Sequence, residues 1–199
     1  ESPWVGLKHF KDFFSSIYFG RTLGNTLILS GLNLMFGFVA PIIFAILLNE
    51  ITSLKFKKVI QTVTYLPHFI TTVVVASILI TFTNNDGLIT GFINTISTHT
   101  GSLIGDQDYF RGIYTISDIW QNFGWGSIIF LAAMSGVSAE IYEAAKIDGA
   151  NKFQQIMNVT IPGIMPTIAI MFIMAIGGVM NIGWEKAFRS EEHTSELQS

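Results

Sequence analysis

The chain has 199 residues, half of them hydrophobic, and only 13% carry a charged side chain, against about 25% in a typical soluble domain. The formal net charge is −3 and no cysteine is present, which excludes a basic footprint for nucleic acid, disulfides and cysteine-based metal or redox sites. The histidines are isolated from one another in the sequence, so they have no metal-ligand spacing.

An amphipathic pattern opens the chain at residues 4–20. Leu7, Phe10, Phe14 and Ile17 recur there at helical spacing, which favours a helix lying at the surface of a membrane. A segment packed against transmembrane helices would show the same spacing, so both interpretations stay open.

Four apolar stretches follow, each long enough to cross a bilayer as a helix, which takes about 20 residues. None of them contains Asp, Glu, Lys or Arg, whose burial at the bilayer centre costs about 2.5–3.5 kcal/mol per residue. We therefore predict an all-α fold, a polytopic transmembrane helix bundle. Its four predicted spans are 26–49, 60–83, 119–137 and 161–183.

Charges in the connecting segments predict the orientation of these spans, because loops rich in Lys and Arg tend to stay in the cytoplasm. The segment between the first two spans carries three lysines and is predicted to be cytoplasmic, as is the segment 140–162 with Lys146 and Lys152. The long segment 84–118 is predicted to be external because aspartates dominate its charge. Its charged residues are Asp86, Asp106, Asp108, Arg111 and Asp118.

Polar and aromatic residues in the last two spans and beside them are candidates for a transport pathway. We predict Trp120, Asn122 and Asn181 as pathway residues, because amides and indole rings suit a neutral, hydroxyl-rich solute. Two alternatives stay open. Amides also hydrogen-bond between helices, and Trp120 lies where an indole ring can anchor a span at the headgroup level.

The segment between the last two spans predicts a helix-turn-helix. Ser138 can cap the first short helix, and Asp148 followed by Gly149 ends it, since glycine suits the left-handed C′ position. Asn151 and Gln154 have the spacing of a capping box that starts the second helix.

Small and apolar residues would be presented by these two helices. Phe153, Ile156 and Met157 lie on one face of the second helix, and Ala144 and Ala145 keep the first helix slim. An exposed apolar stripe of this kind indicates a docking site for another protein.

The same segment resembles the EAA loop of the permease subunits of binding-protein-dependent ABC importers. The pattern there is Glu-Ala-Ala, three residues, Gly, nine residues, then Ile-x-Leu-Pro. The matching positions here are Glu143, Ala144, Ala145, Gly149 and Pro162. Val159 and Ile161 depart from the usual Ile and Leu, but both keep the apolar character of their positions.

Similarity to the carbohydrate branch of this family, the lipo-oligosaccharide or polysaccharide permeases, extends over most of the chain. It is carried by VGLKHFKDFF, NTLILSG, FAILLNE, YLPHFI and YEAAKIDGANKFQ. The resemblance implies about six spans, so about four are present in residues 1–188, a partial permease domain, and one is expected to be missing at each end. We interpret residues 189–199 as an artefact, because one back-translation of RSEEHTSELQS resembles a sequencing adapter; a genuine hydrophilic tail is the alternative.

In that family the EAA loop sits in a groove of the cytoplasmic ATPase, so the resemblance implies a coupling role for this loop. The implied coupling residues are Glu143, Ala144, Ala145, Asp148, Gly149, Phe153 and Pro162. Glu143 would contact the ATPase, the two alanines would permit close packing, and Gly149 would supply the turn. The alternative for Glu143 is a solvated helix charge.

The resemblance also implies the partners of the protein. They are a cytoplasmic ABC ATPase dimer, a second permease subunit that forms a heterodimer with this one, an extracytoplasmic solute-binding protein and the lipid bilayer. No phosphate-binding GxxxxGK[ST] run occurs in the chain, so ATP is expected to bind the partner subunit. We expect no enzyme activity, cofactor or metal in the chain itself.

The resulting hypothesis is a multi-pass subunit of a cell-membrane importer for a sugar or oligosaccharide. One alternative is an ion-coupled secondary transporter, which usually places ionisable residues inside its spans; the four predicted spans have none. Another is a non-transporting membrane scaffold, which would have no need of an EAA-type loop.

Overall fold

A computed structural model describes residues 17–96, 102–103 and 107–178 of the chain. Every regular element in these ranges is helical, which confirms the predicted all-α class. Most of the opening pattern at 4–20 and the whole tail at 189–199 lie outside the described residues. In chain order the helices are α1 (Ile17–Leu32), α2 (Val39–Glu50), α3 (Leu54–Tyr65), α4 (Thr72–Thr83), α5 (Leu88–Ile96), α6 (Gln107–Ser135), α7 (Ala139–Ile147), α8 (Lys152–Gln155) and α9 (Ile161–Gly178).

The first candidate span is the apolar helical unit Leu23–Glu50, which contains the predicted span 26–49. Within it, α1 and α2 are joined by a π-helical turn at Asn33–Gly37. Pro41 follows this turn, and because proline has no N–H, the carbonyl of Gly37 loses its regular helical donor. In the turn itself the N–H of Phe38 donates to the Asn33 carbonyl at 3.1 Å, so the regular helical hydrogen bonding is interrupted between Asn33 and Gly37.

The predicted span 60–83 is not one continuous helix. The unit formed by α3 and the 3-10 turn Leu66–Phe69 meets α4 at an angle of 95°. Pro67 lies in that turn, Ile70 is extended with φ −76° and ψ 131°, and the Thr71 side chain caps the first turn of α4. A proline followed by an extended residue and a new N-cap ends one helix and starts another, so this stretch is a bent pair.

Helix α6 begins well before the predicted span 119–137 and ends at Ser135. Arg111 and Asp118, which the charge pattern assigns to an external connecting segment, lie inside this helix, so this part of the segment is helical; its external side stays a prediction. Asp118 accepts a hydrogen bond from the Asn33 side chain, and Arg111 donates one to the Asn25 side chain on α1. Such partners reduce the cost of burying polar groups inside a bundle.

The core lies where α6 crosses α2 and α9. Its buried residues are Ala45, Phe130, Met134 and Ile164. On another side, α6 approaches α3 so closely that a β-carbon at Gly124 would overlap the backbone carbonyl of Thr64. Glycine at this position therefore permits the contact between the two helices.

Two helical units in the described part of the chain are long and apolar enough to cross a membrane, Leu23–Glu50 and Lys152–Gly178. The number rises to four if each of two bent pairs, α3–α4 and α6–α7, is one span. The predicted span 161–183 starts inside the second unit, and its residues beyond 178 are not described. Large apolar side chains such as Leu47 and Ile173 are more than half exposed, as expected of helices that face lipid.

Candidate coupling and pathway sites

The predicted helix-turn-helix is present, and local hydrogen bonds explain its shape. The Ser138 hydroxyl caps α7 by accepting from the N–H of Glu140 at 3.2 Å. At the other end of α7, Gly149 has φ +82°, which confirms the left-handed turn. The N–H of Gly149 donates to the Lys146 carbonyl at 3.1 Å. The N–H of Ala150 donates to the Ala145 carbonyl at 2.9 Å. These two bonds form a Schellman motif that ends α7.

The second helix starts with the predicted capping box. Asn151 Oδ1 accepts from the N–H of Gln154 at 2.9 Å, and Gln154 Oε1 accepts from the N–H of Asn151 at 2.8 Å. This helix, α8, is not a separate short element, because it continues through a π-helical turn at Ile156–Thr160 into α9. The loop therefore ends in the base of the candidate span Lys152–Gly178.

Most of the predicted coupling residues are open to contact by another molecule. Glu143, Ala144, Asp148, Gly149, Phe153 and Pro162 are exposed, and Ala145 is half-buried. The apolar side chains of Ile147 and Phe153 are 87% and 70% exposed. An apolar surface of this kind on two short helices is suited to docking a partner protein.

Two side-chain contacts tie the helix-turn-helix to the rest of the bundle. The Tyr142 hydroxyl lies 2.9 Å from Oγ1 of Thr160, the last residue of the π-helical turn. Lys152 Nζ lies 2.7 Å from Oε2 of Glu50, at the end of α2. Neither contact follows from the EAA pattern.

A polar cluster lies between the helices, away from the loop, and consists of Asn33, His68, Asp118 and Asn122. Asn33 Nδ2 donates to Asp118 Oδ2 at 2.6 Å, and Asn122 Nδ2 donates to Asp118 Oδ1 at 3.3 Å. His68 Nδ1 is 3.0 Å from Asn122 Oδ1. The imidazole ring of His68 also stacks on the indole of Trp125, with 4.8 Å between ring centres and 4° between planes.

The cluster is attached to the bend of the α3–α4 pair. His68 belongs to the 3-10 turn at this bend, and the carbonyl of Ile70 accepts a hydrogen bond from Gln121 Nε2 at 2.8 Å. Gln121 is buried, so its amide satisfies a carbonyl that the broken helix leaves without a helical partner. Helix α6 thus holds the bend through Gln121 and Asn122.

Comparison with known proteins identifies the architecture. Residues 37–182 match the family described as the inner membrane component of binding-protein-dependent transport systems. The chain belongs to this family. The matched range includes the helix-turn-helix and three residues of the polar cluster, His68, Asp118 and Asn122.

Characterised relatives in this family cover nearly all of the chain. Protein LplB of Bacillus subtilis is 42% identical over 189 residues, which are 94% of this chain and 59% of LplB. The polygalacturonan/rhamnogalacturonan transport system permease protein YteP of the same species is 39% identical over 191 residues, 94% of this chain and 59% of YteP. The chain therefore spans 59% of the length of both relatives.

A solved structure is similar to this chain in both fold and sequence. It is a bacterial ABC transporter involved in the import of the acidic polysaccharide alginate. The match has a TM-score of 0.86 and 39% identity, and covers 94% of this chain and 65% of the other. With this similarity in fold and sequence, the described helices have the arrangement of an ABC permease.

Within this permease fold, the structure separates the residues predicted for the pathway. Asn122 belongs to the polar cluster. Trp120 is on the same helix and is 46% exposed. Because residues two positions apart point to different sides of a helix, Trp120 does not face the cluster. Asn181 lies outside the described residues. The sequence analysis missed His68 and Asp118; the spacing of four between Asp118 and Asn122 was a signal that they share a helix face.

Proposed function

We propose that the full-length protein is the permease subunit of an ATP-driven importer for a sugar or oligosaccharide, and that its loop 140–162 couples transport to a separate ATPase. One observation carries the coupling role. The EAA pattern is folded as an exposed helix-turn-helix whose second helix continues into a candidate span. Movement of a protein docked on the loop would therefore act directly on the membrane part.

The substrate class is supported by the relatives and by the polar cluster. Relatives are named for transport of polygalacturonan/rhamnogalacturonan and of arabinooligosaccharides, and the solved structure is of an alginate importer. Amide and carboxylate groups inside a bundle can exchange hydrogen bonds with the hydroxyls of a solute. We assign Asn122 to the pathway on this basis. Trp120 and Asn181 are assigned to it from the sequence pattern alone.

Coupling requires each loop residue to do a different task. Glu143 is exposed on α7 and would contact the ATPase, while Ala144 and Ala145 allow the partner surface to come close. Gly149 sets the angle between the helices, since its φ of +82° costs a β-carbon-bearing residue about 1 kcal/mol or more. Asp148, Phe153 and Pro162 complete the docking surface. ATP itself would be bound by the partner, because the chain has no phosphate-binding loop.

The proposed assembly sits in the cell membrane as a multi-pass protein. It contains an ABC ATPase dimer, a second permease subunit in a heterodimer with this one, and a solute-binding protein on the external side. One solved relative is an alginate ABC transporter in complex with a periplasmic protein that holds an alginate pentasaccharide, which supports the last of these partners.

An ion-coupled transporter is the second candidate, and one observation favours it. Asp118 and His68 lie in helical elements of the bundle, and ionisable residues between spans often bind ions or relay protons. Asp118, however, already accepts hydrogen bonds from Asn33 and Asn122, and the chain belongs to a binding-protein-dependent family. We therefore favour the ATP-driven importer.

Reconstitution of the full-length protein with its ATPase and second permease subunit tests the proposal. Glu143→Lys reverses a charge on the docking surface and should abolish uptake of oligogalacturonides or alginate oligosaccharides, together with the stimulation of ATP hydrolysis by loaded binding protein. Glu140→Lys, one turn earlier on α7 and also exposed, is the matched control and should have the smaller effect. Normal uptake and stimulation in the Glu143→Lys protein would reduce the loop to a linker and remove the main support for the proposal.

A further inference from the structure

Helix α7, which carries the EAA residues, is attached to the membrane part at both of its ends. At its start, a bend of 73° separates it from α6. A displacement of α7 can therefore be absorbed by a change in this bend without moving α6. At its end, it reaches α8 and α9 through the left-handed turn at Gly149. A turn with no further support would also flex, so transmission to α9 needs a second point of attachment.

The hydroxyl pair Tyr142–Thr160 has the right position for that attachment. Tyr142 lies in the middle of α7, directly before Glu143, and Thr160 is the residue before α9 begins. The two oxygens are 2.9 Å apart, and Thr160 is only 1% exposed. Tyr142 is half-buried, so the contact is shielded from water on the Thr160 side, where a hydroxyl that lost its partner would be poorly solvated.

The pair continues as a chain of hydrogen bonds that surrounds the turn. Thr160 Oγ1 is 3.5 Å from the carbonyl of Gln155, so Tyr142 can donate to Thr160 while Thr160 donates to Gln155. The buried side chain of Gln155 in turn donates from Nε2 to the carbonyl of Ala150 at 2.8 Å. This chain braces the angle between α7 and the base of α9.

The ion pair between Lys152 and Glu50 is a weaker candidate for the same role. The Lys152 side chain is 70% exposed, and exposed ion pairs contribute little because water competes for both charges. The Tyr142–Thr160 contact is better shielded, because Thr160 is buried.

We propose that Tyr142 and Thr160 are positioning residues that make α7, the turn and α9 one rigid unit, so that movement of the docked ATPase tilts α9 and is not absorbed by the turn. The proposal rests on the proposed coupling function. It concerns a contact within the permease chain, and it predicts a fixed geometry between the loop and the span during ATP turnover.

Spin labels test the rigidity without any knowledge of the solute. Cysteines replace Lys146 on α7 and Ile173 on α9, both of which are exposed, in the full-length permease assembled with its ATPase. The distance distribution between the labels is measured without nucleotide and after trapping with ATP and vanadate. We expect a narrow distribution with the same centre in both states. A clear shift of the centre on trapping would overturn the proposal.

Variants then test the two residues themselves. Tyr142→Phe and Thr160→Val should broaden the distribution and lower the stimulated ATPase rate several-fold, while Thr160→Ser, which keeps the hydroxyl, should restore both. The double variant should be no worse than the more affected single one, because both changes remove the same contact. Tyr65→Phe and Thr62→Val on α3 are controls for the loss of a tyrosine and a threonine hydroxyl outside the loop.

The outcomes separate this proposal from the proposed function. If Tyr142→Phe and Thr160→Val keep the narrow distribution and the stimulated rate while Glu143→Lys loses that rate, the positioning role is wrong and the coupling role stands. If Glu143→Lys also keeps the stimulated rate, the coupling function itself fails. Additive losses in the double variant would show that the two hydroxyls act separately and would also overturn the proposal.

Discussion

Asp118 of α6 accepts a hydrogen bond from Asn33 Nδ2 at 2.6 Å, across 85 positions of the sequence. The same carboxylate accepts from Asn122 Nδ2, so one acidic group joins the π-helical turn of the first candidate span to the central helix. Asn33 and Asn122 both donate from their side-chain nitrogens. A carboxylate has two acceptor oxygens, one for each donor, whereas an amide side chain has only one.

The Asp118 carboxylate should therefore be needed for stability. Asp118→Leu removes the carboxylate that accepts from Asn33 Nδ2, at about 1–3 kcal/mol for a shielded donor left without a partner, and should lower the thermal midpoint of the protein in detergent. Asn122 Nδ2 loses less, because it also donates to the Asp118 backbone carbonyl at 3.1 Å. Asp118→Asn should have a smaller effect, because it retains one acceptor oxygen. Asp86→Leu, at an exposed position, is the control, and an equal loss in this variant would show that the effect is not specific to the cluster.

The turn at Gly149 should tolerate side chains according to backbone preference and not according to size. A β-carbon there would meet no atom within 4 Å, so only the φ of +82° opposes substitution. Gly149→Asn should keep much of the stimulated ATPase rate, since Asn enters the left-handed region more readily, whereas Gly149→Val should lose it. Better function in Gly149→Ala than in Gly149→Asn would contradict this explanation.

The predicted orientation places Thr52 in the cytoplasm and Asn94 outside. Both residues are exposed, so Thr52→Cys and Asn94→Cys can be compared in the full-length protein with a thiol reagent that does not cross membranes. Labelling of intact cells should modify only the cysteine at position 94. Labelling of position 52 alone would invert the topology and move the EAA loop to the outside.

Two glycines of α6 should respond in opposite ways to the same change. Gly124→Ala introduces a β-carbon that overlaps the Thr64 carbonyl, whereas Gly112 has open space around it. Gly124→Ala should force α6 and α3 apart and lower stability, while Gly112→Ala should raise it slightly, because alanine is favoured over glycine in helices by about 1 kcal/mol. Thermal unfolding of the two variants, measured side by side, checks the prediction; equal effects would show that the close approach is unimportant.

The sequence predicted best those features that depend on neighbouring residues. The Ser138 cap, the capping box and the left-handed Gly149 involve groups within a few positions of one another, so their spacing was enough. The bend after Pro67 was harder, because proline inside a membrane helix is compatible with either a kink or a break. Only the extended conformation of Ile70 decides between them.

Features that depend on distant partners could not be read from local patterns. Asp118 looks like a loop residue because charge is unfavourable inside a span, and in α6 it is paired with Asn33 of a distant segment. Likewise, the Tyr142–Thr160 contact depends on how the turn folds α7 back towards α9. No local pattern indicates that Asn33 is a partner of Asp118, 85 positions away, or that Thr160 is the partner of Tyr142, 18 positions away.

The continuous path of the backbone from Lys152 to Gly178 has a mechanical consequence. This unit has 27 residues, and at about 1.5 Å per residue it is a rod about 40 Å long. Because the loop is fixed to one end, a tilt of about 10° at that end would displace the far end by about 7 Å, more than the rise of one helical turn. The helix would thus act as a lever arm that enlarges a small angular movement at the loop into a large displacement at the opposite side of the membrane.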